Sequence, residues 1–190
     1  MKKIILSLLL CFVTLSAFAD DVPSFKKVLK KYHRHGEHFN FSTFHDNITW
    51  DVVYKSAEFR EAAAYKYAKD YRLSDSELKA KLIEEEQAAL KGPEFIVLVY
   101  TYSKSWNNFD APDSVWKLRL EGEGKQFDPV SIQEFKPTPL DTSLYPYYDP
   151  WIKSYSVLFP VEAYAVLNEQ FTLSAFGVKG KNTLRWKLKK

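Results

Sequence analysis

The sequence predicts an α+β fold, an N-terminal helical hairpin packed on an antiparallel β-sandwich that is immunoglobulin-like in the broad sense. Three observations carry this. Phe95, Val97 and Val99 alternate with Ile96, Leu98, Tyr100 and Tyr102, so one strand is apolar on both faces and needs cover on both. Trp116, Leu118 and Leu120 alternate with Lys117, Arg119 and Glu121, so a second strand has one wet face. Ser74-Asp75-Ser76-Glu77 and, further on, Gly92-Pro93 bracket a helix with both of its end signals. An antibody-type pattern is excluded, because Cys11 is the only cysteine. Cover of one sheet face by the helical hairpin is the competing arrangement.

Met1 to Ala19 has a cationic start (Lys2, Lys3), an apolar run from Ile4 to Leu15, and Ala17-Phe18-Ala19. This reads as a secretory signal peptide of bacterial style, removed after Ala19. A lipoprotein cleavage before Cys11 fits poorly, since Leu10 stands where a small residue is wanted. Taking 19 of the 190 residues away leaves 171 with no cysteine. Of 27 basic residues Lys2 and Lys3 leave with the leader, so 25 face 24 acidic ones. That composition excludes thiol catalysis, a disulfide frame and thiolate metal centres, and it gives no reason to expect a nucleic-acid partner. No later run is long enough for a transmembrane segment, so a periplasmic or secreted product is expected. The mature chain divides into a helical region with one strand, 20–92, and a sandwich region, 93–190, expected to form one compact unit.

Ser24 is placed to cap a helix from Phe25 to about His35, stopped by Gly36. Phe25, Val28, Leu29 and Tyr32 form its apolar stripe among Lys26, Lys27, Lys30, Lys31 and Arg34. Two readings follow: a docked helix with a solvated lysine face, and membrane-surface contact through residues 24–36. His33, His35, His38 and His45 come next, with Glu37 and Asp46 beside them. Clustered imidazoles suit a divalent transition metal, although this spacing matches no established motif.

Asn47–Lys55 alternates as a strand, and Ser56 opens a helix to about Arg72 whose face is Phe59, Ala63, Ala64, Tyr67 and Tyr71. The capping box starts the next helix, 75–91, with Leu78, Leu82, Ile83, Ala89 and Leu90 on its apolar arc and Glu86 near the middle of it. A carboxylate there would be buried with a raised pKa, or sit at the rim of the contact and pair with a lysine such as Lys79. After the doubly apolar strand, Lys104–Ser114 is turn-rich. Val115–Glu121 is a strand closing in a hairpin at Gly122-Glu123-Gly124, and Gln126–Phe135 is another, with Pro129 marking an edge. Pro137–Asp149 reads as irregular. Ile152–Phe159, Gln170–Phe176 and Thr183–Leu188 complete the strands.

Two groups of loop aromatics carry the candidate ligand-binding residues: Trp106, Asn107, Asn108 and Phe109, and Tyr147, Tyr148 and Trp151. Flat rings with amides and carboxylates beside them stack on sugars or fill pockets on a protein partner; the same rings can also close the ends of the core. There is no G-x-S-x-G, no H-E-x-x-H and no phosphate loop. The function expected is an exported, non-catalytic binding or envelope-associated protein with a glycan or protein ligand. The alternative is a metal-binding or hydrolytic protein using the histidine segment or separated carboxylates.

Overall fold

The computed structural model describes residues 24–40 and 45–188. The segment expected to be a signal peptide, Met1–Ala19, lies outside the described residues, and so does the side chain of His45. The described chain is a mixed α+β structure with two antiparallel sheets. Its elements run α1 (Phe25–Tyr32), β1 (His33–Asn40), β2 (His45–Tyr54), α2 (Ala57–Tyr71), α3 (Asp75–Ala89), β3 (Glu94–Tyr100), β4 (Trp116–Gly122), β5 (Lys125–Phe127), β6 (Ser131–Phe135), α4 (Pro139–Leu144), β7 (Lys153–Leu158), β8 (Gln170–Gly177) and β9 (Gly180–Lys187). Short 3-10 turns occupy Lys104–Trp106 and Val161–Val166. One sheet has the order β1-β2-β3-β7-β6 and the other β5-β4-β8-β9. Among the described residues no helix is long and apolar enough to cross a membrane.

The doubly apolar strand lies where its composition demands. β3 is central in the five-stranded sheet, with Val97 opposite Val52 on one side and Tyr155 on the other, and Phe95 to Val99 are all buried. Phe95 meets Phe171 and Trp186 of the second sheet with ring centroids 6.3 and 5.8 Å apart, so the odd-numbered positions face the core shared by both sheets. Glu94, Ile96 and Leu98 face the other way. At the start of β3, Arg60 of α2 reaches Glu94 on that outer side.

β4 alternates as expected, with Trp116, Leu118 and Leu120 buried and Lys117 exposed. Its hairpin to β5 turns on Glu123 and Gly124, both at positive φ (49° and 75°), the conformation a two-residue primed turn requires. The capping box at Ser74 is formed from both ends, with Glu77 accepting from the Ser74 N–H at 2.7 Å. Ser56 caps α2 by accepting from the Phe59 N–H at 3.1 Å.

Five expectations are corrected. The first helix ends at Tyr32, and His33–Asn40 is the edge strand β1, paired with β2 from His33 opposite Val53 onward. Gly36 is no helix stop. It lets β1 approach β9, because a Cβ there would meet Asn182 Oδ1, Leu184 Cδ2 at 2.7 Å and Trp50 Nε1 at 2.9 Å. Ser24 makes no side-chain cap; its carbonyl accepts from the Lys27 and Val28 N–H groups. The single strand expected over Gln126–Phe135 is two strands in different sheets, β5 and β6, with Asp128-Pro129 carrying the chain across. Proline lacks the N–H that would continue either ladder. The stretch expected to be irregular contains α4, capped by Thr138 and Asp141 in a second capping box with Pro139 at its first position.

The hairpin helices also differ from expectation in depth. α2 buries Phe59, Ala62, Ala63 and Ala64, whereas Tyr71 is exposed. α3 buries no residue: Ile83 and Leu90 are exposed, and so is Glu86. Of the two readings of Glu86, the buried one does not occur: the carboxylate is exposed, and a solvated carboxylate needs no partner.

Candidate functional site

Strand alternation divides the histidines. His33 and His35 stand two residues apart on β1, so both project on the outer side of the five-stranded sheet, beside Asp51 of β2. The two rings converge on one oxygen, Asp51 Oδ1, which lies 2.7 Å from His33 Nε2 and 3.1 Å from His35 Nδ1. Tyr147 stacks on His33 with centroids 3.7 Å apart and planes within 9°. His38 projects to the inner side, against Gly180, the first residue of β9. The side chain of His45 is not described, and its position opposite Asn40 puts it at the far end of β1 from His33. His38 therefore does not converge with His33 and His35, and among the described residues no group of three His, Cys, Asp or Glu side chains is arranged to hold a metal. Asp51 instead fastens an edge strand that has little apolar burial of its own.

The loop aromatics separate into packing and surface residues. Phe109 is buried, stacked 6.2 Å from Trp116 and tilted 5.6 Å from Tyr155. Asn107 is buried as well: its Nδ2 donates to the Val99 carbonyl at 2.9 Å, and its own oxygens accept from the Tyr155 hydroxyl at 2.9 and 3.1 Å. Burial pushes that Tyr155 hydroxyl well above the usual tyrosine range. Asn108 Oδ1 is buried with no hydrogen-bond partner among the described residues. Trp106 is half-buried, with Lys179 Nζ 4.0 Å above its ring. Tyr147 and Tyr148 are half-buried against the core. These positions, placed with a ligand in mind, largely close the end of the core.

Trp151 behaves otherwise. It is 74% exposed, yet its backbone is pinned by a 2.7 Å bond from its N–H to Asp149 Oδ1. It stands just ahead of Lys153, the first residue of β7, which pairs with Val99 near the end of β3. Tyr100 and Tyr102 leave β3 at the same level, and Phe39 lies near the tip of the β1–β2 hairpin, beyond the row Glu37–Thr49–Tyr100. Five aromatics are exposed among the described residues: Phe39, Tyr71, Tyr100, Tyr102 and Trp151. All but Tyr71 lie at this one end of the five-stranded sheet.

Sequence reasoning missed a charged network on the other side of the outer face. Arg60, its side chain only 3% exposed, donates from Nη1 to Glu85 at 2.9 Å, from Nη2 to Glu94 at 2.7 Å and from Nε to the Lys55 carbonyl at 3.1 Å. Lys55 Nζ lies 2.8 Å from Glu94, and the Ser156 hydroxyl donates to Glu94 at 2.8 Å. Burial by itself would push the Glu94 carboxyl up, but Lys55, Ser156 and Arg60 outweigh it and hold the group below the usual range. Arg60, Lys55 and Ser156 all direct hydrogen bonds or charge at Glu94, and Arg60 also holds Glu85, so the network clamps α2, α3 and β3 together. The available signal was Arg60 itself, a cation beside Phe59 on a helix otherwise buried through alanines.

The apolar side of α1 is also occupied. Val28, Leu29 and Tyr32 are buried in the core, and Lys31 pairs with Glu58. Contact of this stripe with lipid would require undocking the helix.

The chain matches no protein-family model and no curated protein sequence. A solved structure of a protein of unknown function from Burkholderia pseudomallei is similar at 8% identity, over 85% of this chain and 80% of that one, with a TM-score of 0.41.

Proposed function

We propose that the protein is an exported, non-catalytic binding protein of the cell envelope. In this reading the two sheets form a sandwich, immunoglobulin-like in the broad sense, whose aromatic end contacts a glycan. The observation that carries it is the gathering of Phe39, Tyr100, Tyr102 and Trp151, all exposed, at one end of one sheet. Exposed aromatic surface is unfavourable in water and pre-organised for stacking, since these side chains lose few rotamers on contact. Trp151 supplies the largest apolar face. Glu37 and Thr49 stand in the row of Tyr100 and supply hydrogen-bonding groups on the neighbouring strands.

The non-catalytic part rests on how the polar side chains are used. Asp51 is engaged by two histidines, and Glu94 by Lys55, Arg60 and Ser156, so neither carboxylate is left poised toward a cleft. The test is a panel of immobilised envelope polysaccharides and oligosaccharides probed with the mature protein and its Trp151→Ala variant. Retention on one glycan class, lost in the variant at unchanged melting temperature, supports the reading. Failure to retain any glycan, or retention that ignores Trp151, removes it, and retention by a protein partner through the same residues would redirect it.

A further inference from the structure

The outer face of the four-stranded sheet is not covered by any described helix, and its charge is one-sided. Register places Lys117, Arg119 and Glu121 of β4 on that face, opposite Phe176, Ser174 and Thr172 of β8, which in turn lie opposite Lys181, Thr183 and Arg185 of β9, with Lys187 opposite Gln170. The inward partners are the buried Trp116, Leu118, Leu120, Leu173, Leu184 and Trp186, so alternation fixes the cations outward. Five cations thus face two carboxylates, Glu121 and the Asp128 that reaches Arg119, on a protein whose mature basic and acidic residues are nearly balanced in number.

The cations form two lines, on β4 and β9, with the uncharged strand β8 between them. Strands lie about 4.8 Å apart, so the two lines are roughly 10 Å from each other. Lys117, Lys181, Arg185 and Lys187 have no carboxylate within ion-pair distance among the described residues. Arg119 pairs with Asp128 at 2.9 Å and lies over the Phe176 ring at 5.1 Å. Four unneutralised cations spread over a broad sheet face match a planar array of phosphates better than they match a single small anion, because the two concavities on this face, one at Glu121, Gln170, Arg185 and Lys187 and one at Lys117, Arg119, Asp128 and Phe176, are open and each carries a carboxylate.

We propose that this face docks the protein on an anionic phospholipid surface, through Lys117, Lys181, Arg185 and Lys187. The surface belongs to the four-stranded sheet and the aromatic end to the five-stranded one, so either can fail without the other. Docking by charge puts the protein against a bilayer while leaving the aromatic end available.

The experiment is co-flotation of the mature protein with phosphatidylglycerol-containing vesicles and with pure phosphatidylcholine vesicles, at low and high salt. Binding is expected only to the anionic vesicles and is expected to fall with salt. At about 1 kcal/mol per cation near such a surface, the triple variant Lys117→Gln/Arg185→Gln/Lys187→Gln should bind more than about a hundredfold less tightly. All three side chains project from the sheet, so circular dichroism should show the variant folded. A second variant, Lys26→Gln/Lys27→Gln/Lys30→Gln on α1, should bind as the parent does. The proposal is overturned by absent binding, by equal binding to phosphatidylcholine, or by loss of binding in the α1 variant with the sheet variant unaffected. Competition by inorganic phosphate at the ionic strength where sodium chloride is inert would also overturn it, since that identifies a discrete anion site.

Discussion

Removing the Arg60 guanidinium tests whether the charged clamp holds the helical hairpin to the sheet. The substitution Arg60→Met keeps most of the aliphatic volume of a side chain that is 3% exposed and deletes three donors. Glu94 then loses its 2.7 Å partner but keeps Lys55 and Ser156, each at 2.8 Å. Glu85 loses its 2.9 Å partner but retains Lys81 at 3.6 Å and is 20% exposed. Breaking a fully buried pair from one side costs about 3–5 kcal/mol, and the surviving partners put this case lower, at about 2–3 kcal/mol. Urea unfolding followed by circular dichroism measures it. Glu94→Gln should cost less when added to Arg60→Met than in the parent, because the carboxylate has by then already lost one of its two cations. A stability for Arg60→Met within about 0.5 kcal/mol of the parent would refute the clamp, as would strict additivity in the double variant.

Three further predictions follow from the same geometry. Phe109→Ala should cost about 3–5 kcal/mol, because it empties a buried site between Trp116 and Tyr155, while Trp151→Ala should change stability by less than about 0.5 kcal/mol; thermal melts of the two variants check the division of loop aromatics. Gly36→Ala should cost about 1–3 kcal/mol by overpacking. The atom it meets, Asn182 Oδ1, is fixed by Trp50 at 2.8 Å, and the Asn182 amide donates to the Glu37 carbonyl at 2.6 Å, so chemical denaturation should show the full loss. The Glu94 carboxyl is held below its usual range in the folded state, so its contribution is complete above the unfolded value near 4.3 and is lost as pH falls below that. Urea midpoints between about pH 3 and pH 5 should decline less steeply in Glu94→Gln than in the parent.

Local signals in the sequence were legible where the cause was local. Ser74 and Glu77 answer each other three residues apart, and the hairpin at Glu123-Gly124 needs only its glycine and the strand before it. The central place of β3 was legible because burial on both faces removes every polar position from Phe95 to Val99. β1 was illegible for the opposite reason. Its inward positions are Arg34, Gly36 and His38, and each is explained only by a distant partner: the Arg185 carbonyl at 2.7 Å, Asn182, and Gly180. No apolar alternation survives in such a strand. α4 carried a capping box in Thr138–Asp141, masked by the density of prolines around it. The division of Gln126–Phe135 between two sheets is a tertiary event, and Pro129 marks where it occurs without saying that the chain changes sheets.

The candidate site was legible in residue type and not in exposure. Phe109 and Trp151 look alike as loop aromatics, but one fills the core and the other is 74% exposed. The histidines were close in sequence, and the two-residue period of β1 sent His38 to the opposite face from His33 and His35. The clamp joins residues 25 and 34 positions apart, beyond any local pattern.

The most direct measurement is fluorine NMR of protein labelled with 5-fluorotryptophan, which should give five resonances, one for each tryptophan. Trp50, Trp116 and Trp186 should be insensitive to solvent, being buried, and the signal absent from Trp151→Phe should be the most solvent-sensitive. On titration with the glycan retained in the binding panel, that signal should shift and lose its solvent sensitivity while the three buried ones stay in place. A bound glycan that leaves the Trp151 signal unmoved would contradict the account.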